Sequence, residues 1–265
     1  MHRGGTSVTA QVLTALGQGL ELPVDDAFSD PAENPRGYAE SVQLTRFNDA
    51  ILNALGGTWS NIPDLGLNWV EMVRCMPGFE PEEALARFRR AFRTDKWVWK
   101  DPRNCVLAPY WLSIIPDPDG FVVTFRDPEE VAASLGRRGL TRTQSLGLWF
   151  RHTSSSLACL PDIPGSAVLV VGYHTLMVEK DRWMAMATEF LNRLGIPTDE
   201  DRARSSRTLV DDSLYRNRRF PESAGISDDI SARCRNLYDV LVKHEGNQGE
   251  GDAFRSVREE IPFSD

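Results

Sequence analysis

The chain has 265 residues, 41% of them hydrophobic. That is enough to bury one sizeable core, and a single domain over residues 1–265 is expected. A formal net charge of −8 argues against a nucleic-acid binder, which carries a basic stripe, and no apolar run approaches the roughly eighteen residues of a membrane span.

The first seven residues, Met1-His2-Arg3-Gly4-Gly5-Thr6-Ser7, run straight into a helical pattern over 8–17. Two glycines let the backbone come close to a ligand. Thr6 and Ser7 place hydroxyls where the helix begins. First-turn N–H groups and the positive end of the helix dipole face the same spot. With the Arg3 cation these make a cradle for phosphate or sulfate. It is not a Walker A loop, G-x-x-x-x-G-K-S/T, because no lysine precedes the hydroxyl residue. A Gly-Gly turn before an ordinary helix is the plainer reading. A phosphate loop of this kind follows a strand, and none precedes His2. The sheet is therefore expected to lack its first strand, and the chain to be less stable than one extended upstream.

Residues 41–55 place Leu44, Phe47, Ile51, Leu52 and Leu55 on one helical face, closed by Gly56-Gly57. Residues 56–80, rich in Gly, Pro, Asn and Trp, read as a loop or lid suited to acceptor specificity. A helix over 81–94 opens with Pro81. A strand follows in Trp97-Val98-Trp99 and ends at Lys100. The run Gly120–Phe125 reads as a buried strand. After it, Asp127 suits an N-cap, Pro128 the first helical position and Glu130 the third, a capping box. Arg126 thus stands at a strand's carboxyl end, where its fork suits phosphate or a neighbouring acid. Helices over 142–160, 181–194 and 228–244 show further apolar stripes, and a strand over 165–173 ends in Tyr173. Arg216-Asn217-Arg218-Arg219 is either part of a basic pocket or a solvated run. A polar tail, expected to be mobile, begins near residue 246.

Strands alternating with helices imply an α/β fold, a mostly parallel central sheet flanked by helices. Such sheets bind ligands at the carboxyl ends of their strands. Lys100, Arg126 and Tyr173 all fall at such ends, which points to one shared site. Four cysteines (Cys75, Cys105, Cys159, Cys234) without a C-x-x-C fit neither a metal set nor a disulfide framework. They suit a reduced, cytoplasmic setting. No signal peptide pattern opens the chain.

These motifs resemble those of the PAPS-dependent sulfotransferases, in particular the bacterial branch. Arg3–Ser7 is similar to the family's 5′-phosphosulfate loop, with Gly4 where a serine is usual. Arg126-Asp127-Pro128 followed by Ser134 resembles its 3′-phosphate motif, R-D-P-x-x-x-x-x-S. Tyr173-His174-Thr175-Leu176 is similar to its Y-E-D-L segment near the adenine, without the two acids. Glu33-Asn34-Pro35-Arg36-Gly37-Tyr38-Ala39-Glu40 resembles E-N-P-R-G-Y-W-E, with Ala39 replacing tryptophan. Lys100-Asp101-Pro102-Arg103 resembles K-D-P-R. The motifs stand in the family's order over about two thirds of the chain.

The resemblance implies a P-loop-containing nucleotide hydrolase-like (sulfotransferase) fold. It implies sulfuryl transfer from PAPS to a hydroxyl or amine of a glycan or small-molecule acceptor, with PAP as product and no metal. Arg3 would steady charge on the bridging oxygen, and Gly4, Gly5, Thr6 and Ser7 would hold the 5′-phosphosulfate. Arg126 and Ser134 would hold the 3′-phosphate and Tyr173 the adenine. Lys100 would touch the transferring group or pair with Asp101. Pro102 stands where another branch has its histidine, so the base is expected to be a carboxylate, Glu40 ahead of Glu33 and Asp101. A P-loop nucleotide kinase and a non-catalytic nucleotide-binding protein of this fold stay open as alternatives.

Overall fold

The computed structural model describes residues 1–25, 37–160, 167–215 and 229–246. Its helices, among these residues, are α1 (Thr6–Leu16), α2 (Val42–Ala54), α3 (Trp69–Arg74), α4 (Pro81–Ala91), α5 (Asn104–Leu112), α6 (Pro128–Gly136), α7 (Arg142–Cys159), α8 (Tyr173–Val178), α9 (Lys180–Arg193), α10 (Glu200–Arg207) and α11 (Asp229–Lys243). Two strands, β1 (Gly120–Phe125) and β2 (Ala167–Gly172), pair in parallel from Gly120–Ala167 to Phe125–Gly172. The chain is therefore a mixed α/β fold with a two-stranded parallel sheet among the described residues.

Successive strand side chains point to opposite faces, and both faces are covered. Val123, Phe125, Val168 and Val170 join α6, α7 and α11 through Val131, Trp149 and Leu237. Leu169 and Val171 join α1, α8 and α9 through Leu13, Leu176 and Trp183. Double coverage is what a parallel sheet requires, and it explains why both strands read as nearly continuous apolar runs. A third core gathers α2, α4 and α5 around Phe47, Ile51, Phe88 and Trp111.

The sheet is smaller than the sequence suggests. The strand expected to end at Lys100 reduces to one parallel bridge, Trp97 to Glu21. Its tryptophans are committed elsewhere, Trp97 on Phe88 at 5.2 Å and Trp99 on Trp111 at 4.8 Å between ring centroids. Tyr173 does not close a strand either. β2 stops at Gly172, whose N–H donates to the Glu245 carboxylate at 2.7 Å, and Tyr173 opens α8. The supposed loop over 56–80 contains α3. Helix α5 was masked by its internal Pro109 and α10 by its lack of an apolar stripe. None of the described helices is long and apolar enough to cross a membrane. Glu33, the Arg216–Arg219 cluster and the tail past residue 246 lie outside the described residues.

Candidate anion-binding site

Helix α1 starts without a side-chain cap. Its N-cap, Gly5, sits at φ 83°, and no acidic residue occupies the first turn. The first-turn N–H groups therefore have neither intrahelical acceptors nor a capping oxygen, and the dipole there favours an anion. The half-buried Thr6 and Ser7 hydroxyls find no partner among the described residues. Gly5 is required twice over. Its φ is left-handed, and a Cβ there would lie 2.2 Å from Cδ2 of Tyr173. Arg3 is also left-handed, at φ 61°, a conformation that costs a non-glycine residue roughly 1–2 kcal/mol.

The loop meets the second motif directly. Arg3 Nε donates to Ser134 Oγ at 2.8 Å, and Arg126 Nη1 donates to the Arg3 carbonyl at 3.4 Å. The Arg126 guanidinium lies 4.5 Å from the Tyr173 ring centroid. Residues 3, 5, 126, 134 and 173 thus converge at the amino end of α1 and the carboxyl end of β1.

Arg126 is buried and already matched. Its Nε donates to Glu130 Oε2 at 2.8 Å, and both side chains are less than a tenth exposed. The capping box is accordingly only half made. Asp127 Oδ1 accepts from the Glu129 and Glu130 N–H groups at 2.9 and 3.3 Å, while the Glu130 carboxylate turns to Arg126. The sequence reading missed Tyr215. Its hydroxyl donates to Glu130 Oε1 at 3.4 Å and meets His174 Nδ1 at 2.9 Å, and its ring packs edge-on to Tyr173 at 5.5 Å. Burial pushes its phenol up to about 12. Tyr215 follows a short 3₁₀ turn over Asp212–Leu214, so no periodicity marked it. A lone aromatic beside an arginine run was the only hint.

A second group lies beyond the loop. Glu40 immediately precedes Ser41, the N-cap of α2, and forms an ion pair with Lys100, both side chains about a tenth exposed. Lys100 therefore pairs with Glu40 and not with Asp101. Burial raises the Glu40 carboxyl, opposed by the Lys100 charge and assisted by Asp101. Ala39 before it holds φ 56° and is fully buried. Asp101 has both oxygens occupied. Oδ1 accepts from Arg103 N–H and Nη1 at 2.9 and 3.0 Å, and Oδ2 from Asn48 Nδ2 at 2.9 Å and Thr45 Oγ1 at 3.4 Å. Such a carboxylate braces α2 against the 101–104 turn. Thr6, Lys100 and Asp101 line one cavity together with Met1, which places the Glu40–Lys100 pair beside the cradle.

His2 and His152 sit at the base of the loop, ring centroids 5.8 Å apart, with Trp59 4.8 Å from His2. Burial holds both imidazoles neutral, His152 down to about 3 and His2 well below its ordinary value. They read as packing groups. Among the described residues, no cluster of three or more His, Cys, Asp or Glu side chains could hold a metal ion. No family model, curated protein or solved structure matches the chain.

Proposed function

We infer that this chain transfers a sulfuryl group from PAPS to a hydroxyl or amine of a glycan or small-molecule acceptor, on a P-loop-like sulfotransferase fold, in the cytoplasm. One observation carries the reading. Two anion motifs 123 residues apart in sequence are joined by the Arg126–Arg3 contact at 3.4 Å, with Ser134 held by Arg3 at 2.8 Å. The residues suit a nucleotide bearing phosphate at both ends. An uncapped helix start with Gly4, Gly5, Thr6 and Ser7 receives the 5′-phosphosulfate. Ser134 and Arg126 receive the 3′-phosphate, and Tyr173 borders the adenine.

PAPS supplies the activated sulfuryl group, and the protein supplies position and charge. Arg3 exchanges its bond to Ser134 for the bridging oxygen and offsets the charge that develops there. Lys100 stands ready beside the transferring group. Glu40 takes the acceptor proton, because its raised carboxyl is the better base. Asp101, saturated by four donors, positions the segment instead.

The ion pairs Arg126–Glu130 and Lys100–Glu40 favour one second reading, a nucleotide-binding protein that performs no transfer. Incubation with PAPS carrying labelled sulfur and a mixed panel of glycans, phenols and amines separates the two. Labelled product is expected, and Arg3→Ala should lower turnover far more than PAP affinity. PAP binding with no transfer to any acceptor would establish the second reading instead.

A further inference from the structure

Glu130, Ser134 and Arg137 stand four and three residues apart, so α6 and its C-cap present them on one face. Glu130 holds the Arg126 guanidinium, and Ser134 Oγ accepts from Arg3 Nε at 2.8 Å. Arg137, the C-cap of α6, sends its side chain back along the helix to the same oxygen, with Nη2 donating at 3.4 Å. Its neighbour Arg138 turns elsewhere and lies 5.9 Å from the Trp59 ring centroid. Guanidinium groups from residues 3, 126 and 137 thus gather at the end of the glycine loop.

Ser134 is 2% exposed. A hydroxyl offers two lone pairs and one proton. Arg3 and Arg137 donate to the oxygen, and the proton meets no acceptor among the described residues. Burying a donor without an acceptor is costly. The two cations also orient the hydroxyl with its hydrogen turned away from them. The pocket is therefore built to receive an acceptor at Ser134, and the gathered positive charge selects an anion. Arg137 has room to follow it. The residue is exposed, and a Cβ added at Gly136 or Gly139 would meet no described atom within 4 Å.

We propose that Arg137 is a further anion-binding residue, closing over a terminal phosphate that accepts the Ser134 proton. This rests on the reading of Arg126 and Ser134 as the 3′-phosphate site, and it adds the residue that selects a phosphate monoester there. In that reading Arg3 leaves Ser134 for the bridging oxygen, so Arg137 is the guanidinium that stays. Nε of Arg126 remains with Glu130, which leaves its Nη groups for the inner phosphate oxygens. Arg137, on the solvent side, meets the outer ones. A monoester carries about −1.5 to −2 charge at neutral pH and three acceptor oxygens, enough for Ser134 and both guanidinium forks. A phosphodiester lacks the second charge and the third oxygen.

The test compares the unmodified chain with Arg137→Ala and Arg138→Ala by calorimetric titration with PAP and with adenosine 5′-monophosphate. Arg137→Ala should cut PAP affinity about tenfold, as for one solvent-facing charged hydrogen bond, and leave the monophosphate within about twofold. Arg138→Ala removes the same charge one residue away and should change neither by more than about twofold. Arg137→Gln replaces the alanine variant should that one lose its thermal midpoint. An unchanged PAP affinity in the Arg137 variant would overturn the proposal. Equal losses for both ligands would too, because they would mark a structural role, and so would an equal loss in Arg138→Ala, which would mark diffuse charge. If the unmodified chain prefers PAP by no margin, the PAPS reading falls, and titration with inorganic phosphate decides the pocket by itself. Phosphate binding that weakens about tenfold in Arg137→Ala would uphold it, and phosphate binding that is absent or indifferent to Arg137 would overturn it.

Discussion

Replacing Gly5 by alanine tests how the loop is held. Gly5 sits at φ 83°, and an added Cβ would meet Tyr173 Cδ2 at 2.2 Å, with Cγ and Cε2 at 3.0 Å. The left-handed backbone costs alanine roughly 1–2 kcal/mol. Relieving the contact means moving a ring that is 7% exposed and wedged between Arg126 and Tyr215, an overpacking cost of about 1–3 kcal/mol. The total is about 2–5 kcal/mol, a large share of a domain's stability. Urea unfolding with an unchanged m-value reads it. A double-mutant cycle with Tyr173→Ala separates the two contributions. In that background the steric cost vanishes, and Gly5→Ala should cost only about 1–2 kcal/mol. An equal cost in both backgrounds would refute the claim that Tyr173 closes over the glycine.

Glu130→Gln removes the carboxylate that competes for Arg126; PAP should then bind about 3–10-fold more tightly, ~1 kcal/mol of competing attraction, and weaker binding would show that the pair organises the arginine for its ligand. Glu40→Gln should abolish sulfuryl transfer while PAP affinity stays within about twofold, because the carboxylate acts on the acceptor proton; wild-type turnover would remove Glu40 from the chemistry. Acid should unfold the chain early. His2 and His152 are held neutral when folded but protonate below about pH 6.5 when unfolded. The stability they contribute is complete above that value and is lost as pH falls below it, for His152 down to about pH 3, by up to about 1.4 kcal/mol per pH unit for each ring. Between pH 6.5 and 5, His152→Gln should show a shallower slope than the parent chain, and an identical slope would contradict this.

Much of the fold was legible because the signals were local. Strands β1 and β2 announced themselves as apolar runs between turns, and α2, α4, α7, α9 and α11 as apolar stripes, with α2 and α9 closed by glycine and α4 opened by proline. Asp127 capped α6 as its chemistry dictates. What failed depended on partners distant in sequence. The Trp97–Trp99 run has strand composition, but a strand grows only where a ladder partner continues alongside, and here pairing stops at the one bridge to Glu21. Glu130 suited a capping box by spacing, yet a buried arginine four residues earlier claimed it. Lys100 had an acid next to it in sequence and took another sixty positions away. Asp101 stood as a candidate base or a partner for Lys100, and instead Thr45, Asn48 and Arg103 close around it. Tyr215 was not singled out because its role arises from partners distant in sequence, Tyr173, His174, Glu130 and Arg126.

Calorimetric titration of the unmodified chain with PAP and with adenosine 5′-monophosphate, both in EDTA, addresses the proposed site most directly. The two ligands differ only in the 3′-phosphate assigned to Arg126 and Ser134, and a charged hydrogen bond contributes about 1.5–3 kcal/mol. PAP should bind at one site per chain and about 10–100-fold more tightly than the monophosphate. Equal affinities, or binding of PAP only when magnesium is supplied, would contradict the account.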